Sequence, residues 1–304
     1  VIIDQLIVKK NWGTISILSA KKISNISYAK ILNGGSNIKF LAKGVYYTGQ
    51  LNFFHSDIKI DNTYIEYSNA EDAINVKKSF FSFNKVVLRN NKFDAFDGDW
   101  ANGEIKNSII STNGNDGLDF SGSKVVIKDS ILNNMGDKSL SVGEQSTIDI
   151  INCIFVNSNY AIAVKDLSKV RVFGSSIYNN NYGIAVYRKK PIFGSGVITV
   201  FGSLIWNNTK NFMPDENARI ILNNTGLKEK ALSKQIKTIN VRVGDIHNQF
   251  KIDTYGNPIP SDKLKLSKQF LKGPSVKGKD LNGNNLPDLS KYNIGMVKKL
   301  NLDG

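Results

Sequence analysis

Five aspartates at matched intervals are the first feature of the chain with chemical content. Asp94, Asp97 and Asp99 are followed 22 residues later by Asp116 and Asp119, and Lys138 stands a further 22 beyond Asp116. If equal spacing means adjacency in space, the five carboxylates share one patch. Like charges that close raise one another's pKa and need an offset. Three arrangements supply it. A Ca²⁺ ion held by Asp94, Asp97, Asp99 and Asp119 would find the oxygen-rich, adaptable shell that calcium takes. A protonated carboxylic acid beside an ionised one is the pair that glycoside hydrolysis uses. A purely structural network with Lys138 and backbone N–H groups is the third, because Asp in turns commonly bonds backbone amides. The candidate catalytic groups are Asp97, Asp119, Asp116 and Lys138.

The same intervals carry bases and aromatics onto this face. Glu144, Lys165, Tyr187, Arg188 and Trp100 are the candidate substrate contacts. Cleaving a uronic acid by elimination requires a cation for the sugar carboxylate and a base for the C5 proton. Lys138, Lys165, Arg188 and Tyr187 are residue types able to fill those roles. Trp100 offers a face on which a sugar ring can stack. Tyr160 and Tyr182 read instead as an aromatic ladder along the repeat, and Arg188-Lys-Lys190 reads as a solvated turn. The two histidines, His55 and His247, sit in turn-like contexts and leave little room for His-based chemistry. Asp280-Leu-Asn-Gly-Asn-Asn resembles the opening of a calcium loop but lacks its closing Glu, and reads as a turn.

The elements that must position these side chains are visible as repeats. Six segments, beginning at Asp72, Asp94, Asp116, Lys138, Tyr160 and Tyr182, align at a constant spacing of 22. Within them, Ile74-Asn-Val76, Leu118-Asp-Phe120, Leu140-Ser-Val142, Ile162-Ala-Val164 and Ile184-Ala-Val186 alternate apolar, variable, apolar, as a short strand does. Gly98 is the departure, at a position where the other copies are apolar. The variable members Asn52, Asn75, Asp97, Asp119, Ser141, Ala163 and Ala185 then point outward, and the last three would leave a groove floor. A second ladder runs through Ile58-Lys-Ile60, Val86-Val-Leu88, Val125-Val-Ile127, Ile148-Asp-Ile150, Val170-Arg-Val172 and Ile198-Thr-Val200. Two residues after each strand stands Asn62, Asn90, Asp129, Asn152, Gly174 or Gly202, types that tolerate the left-handed backbone of a tight turn. A period of 22 is too short for paired-helix repeats and lacks the leucine spacing of a horseshoe. It fits one rung of a parallel β-helix, with equivalent residues about 4.8 Å apart in successive rungs.

The rung pattern resembles the right-handed parallel β-helix superfamily, which includes pectate-lyase-like enzymes. Lys279-Asp-Leu-Asn-Gly-Asn-Asn-Leu-Pro-Asp288 with Tyr292-Asn-Ile-Gly295 is similar to the closing motif of many secreted β-helix repeat proteins. Gly114–Ser123, Gly136–Glu144 and Lys165–Ser168 are similar to segments of a subgroup of bacterial β-helix proteins. The resemblance implies an all-β fold, a right-handed solenoid, and an acidic polysaccharide as partner. The motif strings of pectate lyases and polygalacturonases are absent, so any chemistry rests on the columns described above.

The chain has 304 residues, 40 Lys+Arg against 26 Asp+Glu, and a net charge of +14. That charge gives non-specific phosphate affinity, but the singled-out patch is acidic, which ranks nucleic acid last among partners. The single cysteine, Cys153, excludes an intramolecular disulfide and multi-cysteine zinc, and reads as a small buried filler. No apolar run reaches the roughly 18 residues of a membrane helix. The solenoid is expected over residues 1–210, starting with irregular rungs that include Thr14–Leu18 and Asn37–Leu41. Residues 211–304, which hold five of the six prolines, are expected as a basic segment packed on or capping it, with one strand at Ile239–Val243. The expected function is an extracellular or cell-surface protein, with a leader or another upstream segment ahead of Val1, that binds an acidic polysaccharide and, if it is an enzyme, cleaves it as lyase or hydrolase. The alternative is a non-catalytic adhesion or glycan-binding module.

Overall fold

The computed structural model describes residues 1–4, 11–35, 40–42, 44–231, 233–243, 250–252, 258–260 and 279–286. Among them there is no helix, and almost every strand pairs in parallel. One sheet of nine strands runs Ile15–Leu18, Gly49–Phe54, Asp72–Lys77, Asp94–Asp99, Leu118–Ser121, Lys138–Gly143, Tyr160–Lys165, Tyr182–Tyr187 and Lys210–Pro214. A 19-stranded sheet wraps the remaining sides, giving a β-solenoid. The register is the one the spacing predicts: Asn75 pairs with Asp97, Asp97 with Asp119, and Asp119 with Ser141.

The interior follows from the alternation. Ile74, Phe96, Leu118, Leu140, Ile162 and Ile184 form one fully buried column. Burying such side chains stabilises by about 1.5–3 kcal/mol each. Beneath the aspartate rungs the core is aromatic. Phe96 lies 5.1 Å from Phe81 and 5.3 Å from Phe120, ring centre to ring centre. This explains Gly98: a Cβ there would stand 2.8 Å from Phe96 Cε1 and 3.0 Å from Phe120 Cδ1. The predicted turn residues Asn62, Asn90, Asp129 and Asn152 all have φ between 45° and 57°, and Gly174 and Gly202 share that conformation.

Inside the turns run polar ladders that the apolar pattern concealed. The N–H of Ser108 donates to Ser130 Oγ at 3.1 Å, Cys153 to Ser175 Oγ at 3.0 Å, and Ser175 to Ser203 Oγ at 3.1 Å. Cys153 occupies a serine's place and is fully buried, which pushes its thiol up to about 12.

Three regions differ from expectation. The solenoid does not stop near 210: Lys210–Pro214 pairs with Tyr182–Tyr187, Arg219–Asn223 with Val197–Phe201, and Ile236–Ile239 with Arg219–Asn223. The rung before Lys210 is 28 residues long rather than 22, so the period breaks while the stacking continues. The strand expected at 239–243 is two, Ile236–Ile239 and Arg242–Val243. Near the start, Phe40–Ala42 forms an antiparallel hairpin with Val45–Tyr47 instead of a rung. Of the C-terminal segment, 279–286 packs on the solenoid's outside, where Leu286 and Leu281 meet Val126, Ile151 and Phe173. His247, residues 287–295 of the closing motif and most of the basic segment lie outside the described residues.

Candidate functional site

The nine-stranded sheet carries the predicted columns on its outer surface. One oxygen each of Asp94, Asp116 and Asp119 lie within 4.8 Å of one another. Asp94 Oδ1 accepts from the Asp116 N–H at 2.9 Å and from Asn115 Nδ2 at 2.6 Å. Burial, and then the Asp116 charge, push Asp94 up to about 7. Burial likewise raises Asp116 despite the nearby Lys138 ammonium.

Asp97 and Asp99 turn the other way, toward a residue the sequence reading did not single out. Lys77 Nζ lies 2.5 Å from Asp99 Oδ2 and 3.9 Å from Asp97 Oδ2. Burial opposes its charge, but the two carboxylates outweigh that and raise its pKa. Asn75 Nδ2 donates to Asp97 Oδ2 at 2.7 Å and to Asp72 Oδ2 at 3.1 Å. Burial drives Asp97 well above its ordinary value, and Asp72 and Asp99 add to the effect. Asp72, which accepts from Thr48 Oγ1 at 2.5 Å, is pushed up to about 7 by burial. The four aspartates expected around a metal therefore divide. Asp94 and Asp119 converge with Asp116, while Asp97 and Asp99 pair with Lys77. The signal for Lys77 was present, since it stands 22 residues before Asp99 in the same column.

Two lysines close the patch, their pKa values pushed in opposite directions. Lys138 Nζ lies 3.4 Å from Asp116 Oδ1 and also pairs with Asp137. Burial works against the Lys138 charge, but Asp116 and Asp137 prevail and hold the ammonium above its ordinary range. Lys165 is buried, with Nζ 2.6 Å from Ser141 Oγ, and no carboxylate pairs with it among the described residues. Burial lowers its pKa, Lys189 and Lys138 lower it further, and the Asp119 charge opposes them. Such an amine is the one most readily deprotonated here.

The small residues do not form an open floor. Ser141, Ala163 and Ala185 are fully buried. Lys165 lies across to Ser141, beside the bare Gly143, and Tyr187 pairs in register with Lys165. Burial raises the Tyr187 phenol, and the Lys138 charge opposes that. Tyr160 and Tyr182 stack at 4.6 Å as a ladder, and Lys210 caps Tyr182 at 5.7 Å. Trp100 is 59% exposed at the edge of the face, its indole flat against Gly122, where a Cβ would come within 2.8 Å. Glu144 pairs with Lys190, and exposed Arg188 donates its N–H to Asp215 Oδ2 at 2.7 Å. His55 lies edge-on to Phe54 at 4.4 Å, and its backbone N–H donates to the Lys77 carbonyl at 3.2 Å. The face thus combines a compact carboxylate trio, a deprotonatable lysine, fixed cations and partly exposed aromatics.

Comparison with known proteins fixes the class. The sequence matches the family described as right handed beta helix region over residues 22–193 and 98–225, and the chain belongs to it. A solved structure of the pectate lyase Pel9A superposes with a TM-score of 0.53 at 12% identity, covering 98% of this chain and 81% of that one. The periplasmic alginate epimerase AlgG gives a TM-score of 0.41 at 10% identity, covering 77% of this chain and 75% of that one. No curated protein matches the sequence. At these identities the likeness is one of fold. No helix among the described residues is long and apolar enough to cross a membrane.

Proposed function

We propose that this protein is an extracytoplasmic, carbohydrate-active β-helix that binds an acidic polysaccharide across the outer surface of the nine-stranded sheet and cleaves it by β-elimination. The observation that carries the proposal is the Asp94–Asp116–Asp119 trio beside the buried, unpaired-by-carboxylate Lys165. Neutral Lys165 takes the C5 proton of a uronate. The C5–H electron pair forms the C4=C5 double bond, and the bond from C4 to the glycosidic oxygen breaks. The departing oxygen takes a proton from water or from the protonated lysine. Lys138, held charged by Asp116 and Asp137, steadies the sugar carboxylate, and Trp100 offers a stacking surface.

The trio's donor chemistry fits calcium, which takes hard carboxylate and water oxygens in adaptable number. Asp94, Asp116 and Asp119 would hold the ion. Bound there it would supply positive charge to a site whose burial and crowded carboxylates push Asp94 up to about 7. Binding without turnover is the second reading, favoured by the burial of Lys165.

The test is a panel of acidic polysaccharides followed at the absorbance of unsaturated uronate, with calcium or EDTA. The expected result is calcium-dependent absorbance from the wild type and none from Asp119→Asn. New reducing ends without that absorbance would indicate hydrolysis, and binding without either would leave the adhesion module.

A further inference from the structure

The functional face is closed at one end by the chain itself. From Ile15 to its register partner Leu51 is 36 residues, whereas Leu51 to Ile74 is 23. The excess includes the Phe40–Ala42 and Val45–Tyr47 hairpin. It leads directly into Gly49–Phe54, the second strand of the nine-stranded sheet, which pairs with the edge strand Ile15–Leu18. Tyr47 is 2% exposed, and its ring lies 6.1 Å from that of Phe54. Phe54 stands at the far end of that strand, in the outward column of Lys77 and Asp99. Lys77 acts on the Tyr47 phenol, which burial raises. Tyr47 therefore lies against the Phe54 end of this strand, by the column of Lys77.

The outward residues of the adjoining rungs are shut away from solvent. Asn52 and Asn75 point outward, because Leu51, Phe53, Ile74 and Val76 on either side of them belong to the core. Yet both asparagines are fully buried, and Asp72 is 3% exposed. Their polar atoms are spent within these first rungs: Asn52 on Gly49, Thr14 and Ser16, and Asp72 on Thr48, the residue after Tyr47. One rung further on, Asp97 is again partly accessible, with 24% of its side chain exposed. Toward the C-terminal rungs the edge runs through half-buried Tyr160 and Tyr182 to exposed Lys210.

Resting on the proposed function, we infer that the site is an end-binding one: an acidic polysaccharide enters from the Lys210 side, and its terminal sugars stop against the Tyr47 hairpin beside Asp97 and Asp119. A groove open at both ends would accept the middle of a chain. This one accepts a terminus and acts in exo fashion.

Stoichiometry tests this without needing turnover. The wild-type protein would be titrated with size-fractionated polygalacturonate and polymannuronate, under chelating conditions that stop any cleavage, by calorimetry and light scattering. Lengthening the probe about fivefold should leave the number of proteins bound per chain unchanged, whereas a groove open at both ends would load the longer chain about fivefold more heavily. Proportional loading of the wild type overturns the inference. Failure to bind any probe, both under chelation and with calcium restored, overturns the proposed function instead. Tyr47→Ala, checked for a retained β-solenoid by circular dichroism, should convert fixed loading into length-proportional loading. Fixed loading by a folded Tyr47→Ala protein would also overturn the hairpin's role. If that variant does not fold, the wild-type titration alone decides.

Discussion

Two stretches of the nine-stranded sheet share an interior and differ on the outside. In the rungs from Asp72 to Ser121 the outward residues are mostly acids and amides, compressed enough to push Asp72 and Asp94 up to about 7. In the rungs from Lys138 to Tyr187 the same positions hold lysines, small residues and stacked tyrosines. Beneath both runs one continuous apolar column, Phe96, Leu118, Leu140, Ile162 and Ile184. The solenoid constrains what faces in and leaves what faces out free to vary, so chemistry is written rung by rung. The proposed site lies at the junction, where acids of the first stretch meet lysines of the second.

Lys165 belongs to the second stretch and acts toward the first, so its loss should break the comparison most sharply. Lys165→Met should lower turnover on the responsive polysaccharide by about a thousandfold, the size expected for a lost general base. Polysaccharide binding should change little. Wild-type turnover should rise toward alkaline pH, because the neutral amine is the active form.

Next in size is the pH response of stability. Asp72 and Asp94 have folded-state pKa values raised above the ordinary 3.8, so the folded protein holds protons that the unfolded chain has already released. The stability these two groups contribute is fully present below the unfolded value of 3.8 and is lost as pH rises from there through about 7. The melting temperature, read by calorimetry without divalent ions, should drop on the order of 5 °C between about pH 5 and pH 8. Asp94→Asn should flatten that slope, while a substitution in the second stretch, such as Tyr160→Leu, should leave it intact.

The smallest effect sharpens the role of the tyrosine ladder. A double-mutant cycle on Tyr160 and Tyr182 in urea should return a coupling of about 0.5–1.5 kcal/mol, as stacked rings give. A coupling near zero would mean that the rings serve a ligand rather than the solenoid.

Much of this was legible in the sequence because a solenoid repeats its reasons. Every rung needs the same inward residues and the same turn conformers, so a 22-residue period fixed neighbours such as Asp97 and Asp119 correctly. What escaped falls off the period or depends on side-chain direction. The 28-residue rung hid the continuation past Lys210, and the hairpin at Val45–Tyr47 has no counterpart in other rungs. Spacing placed Asp94, Asp97, Asp99 and Asp119 together but could not say that Lys77 would draw Asp97 and Asp99 away from the trio. Nor could it say that Lys165 and Tyr187 would fill the expected floor.

The short stretch 279–286 has a mechanical meaning. A solenoid couples each turn mainly to its neighbours, and can unwind from an end like a spring. Here the Leu281 N–H donates to Asp149 Oδ2 at 2.9 Å across 132 residues, and Arg171 grips the same carboxylate. Leu286 sits on side chains from three successive turns, Val126, Ile151 and Phe173. The segment works as a clip across the coils that carry Lys138 and Lys165. Under tension those coils should yield together, in one larger step, while the turns outside the clip peel away singly.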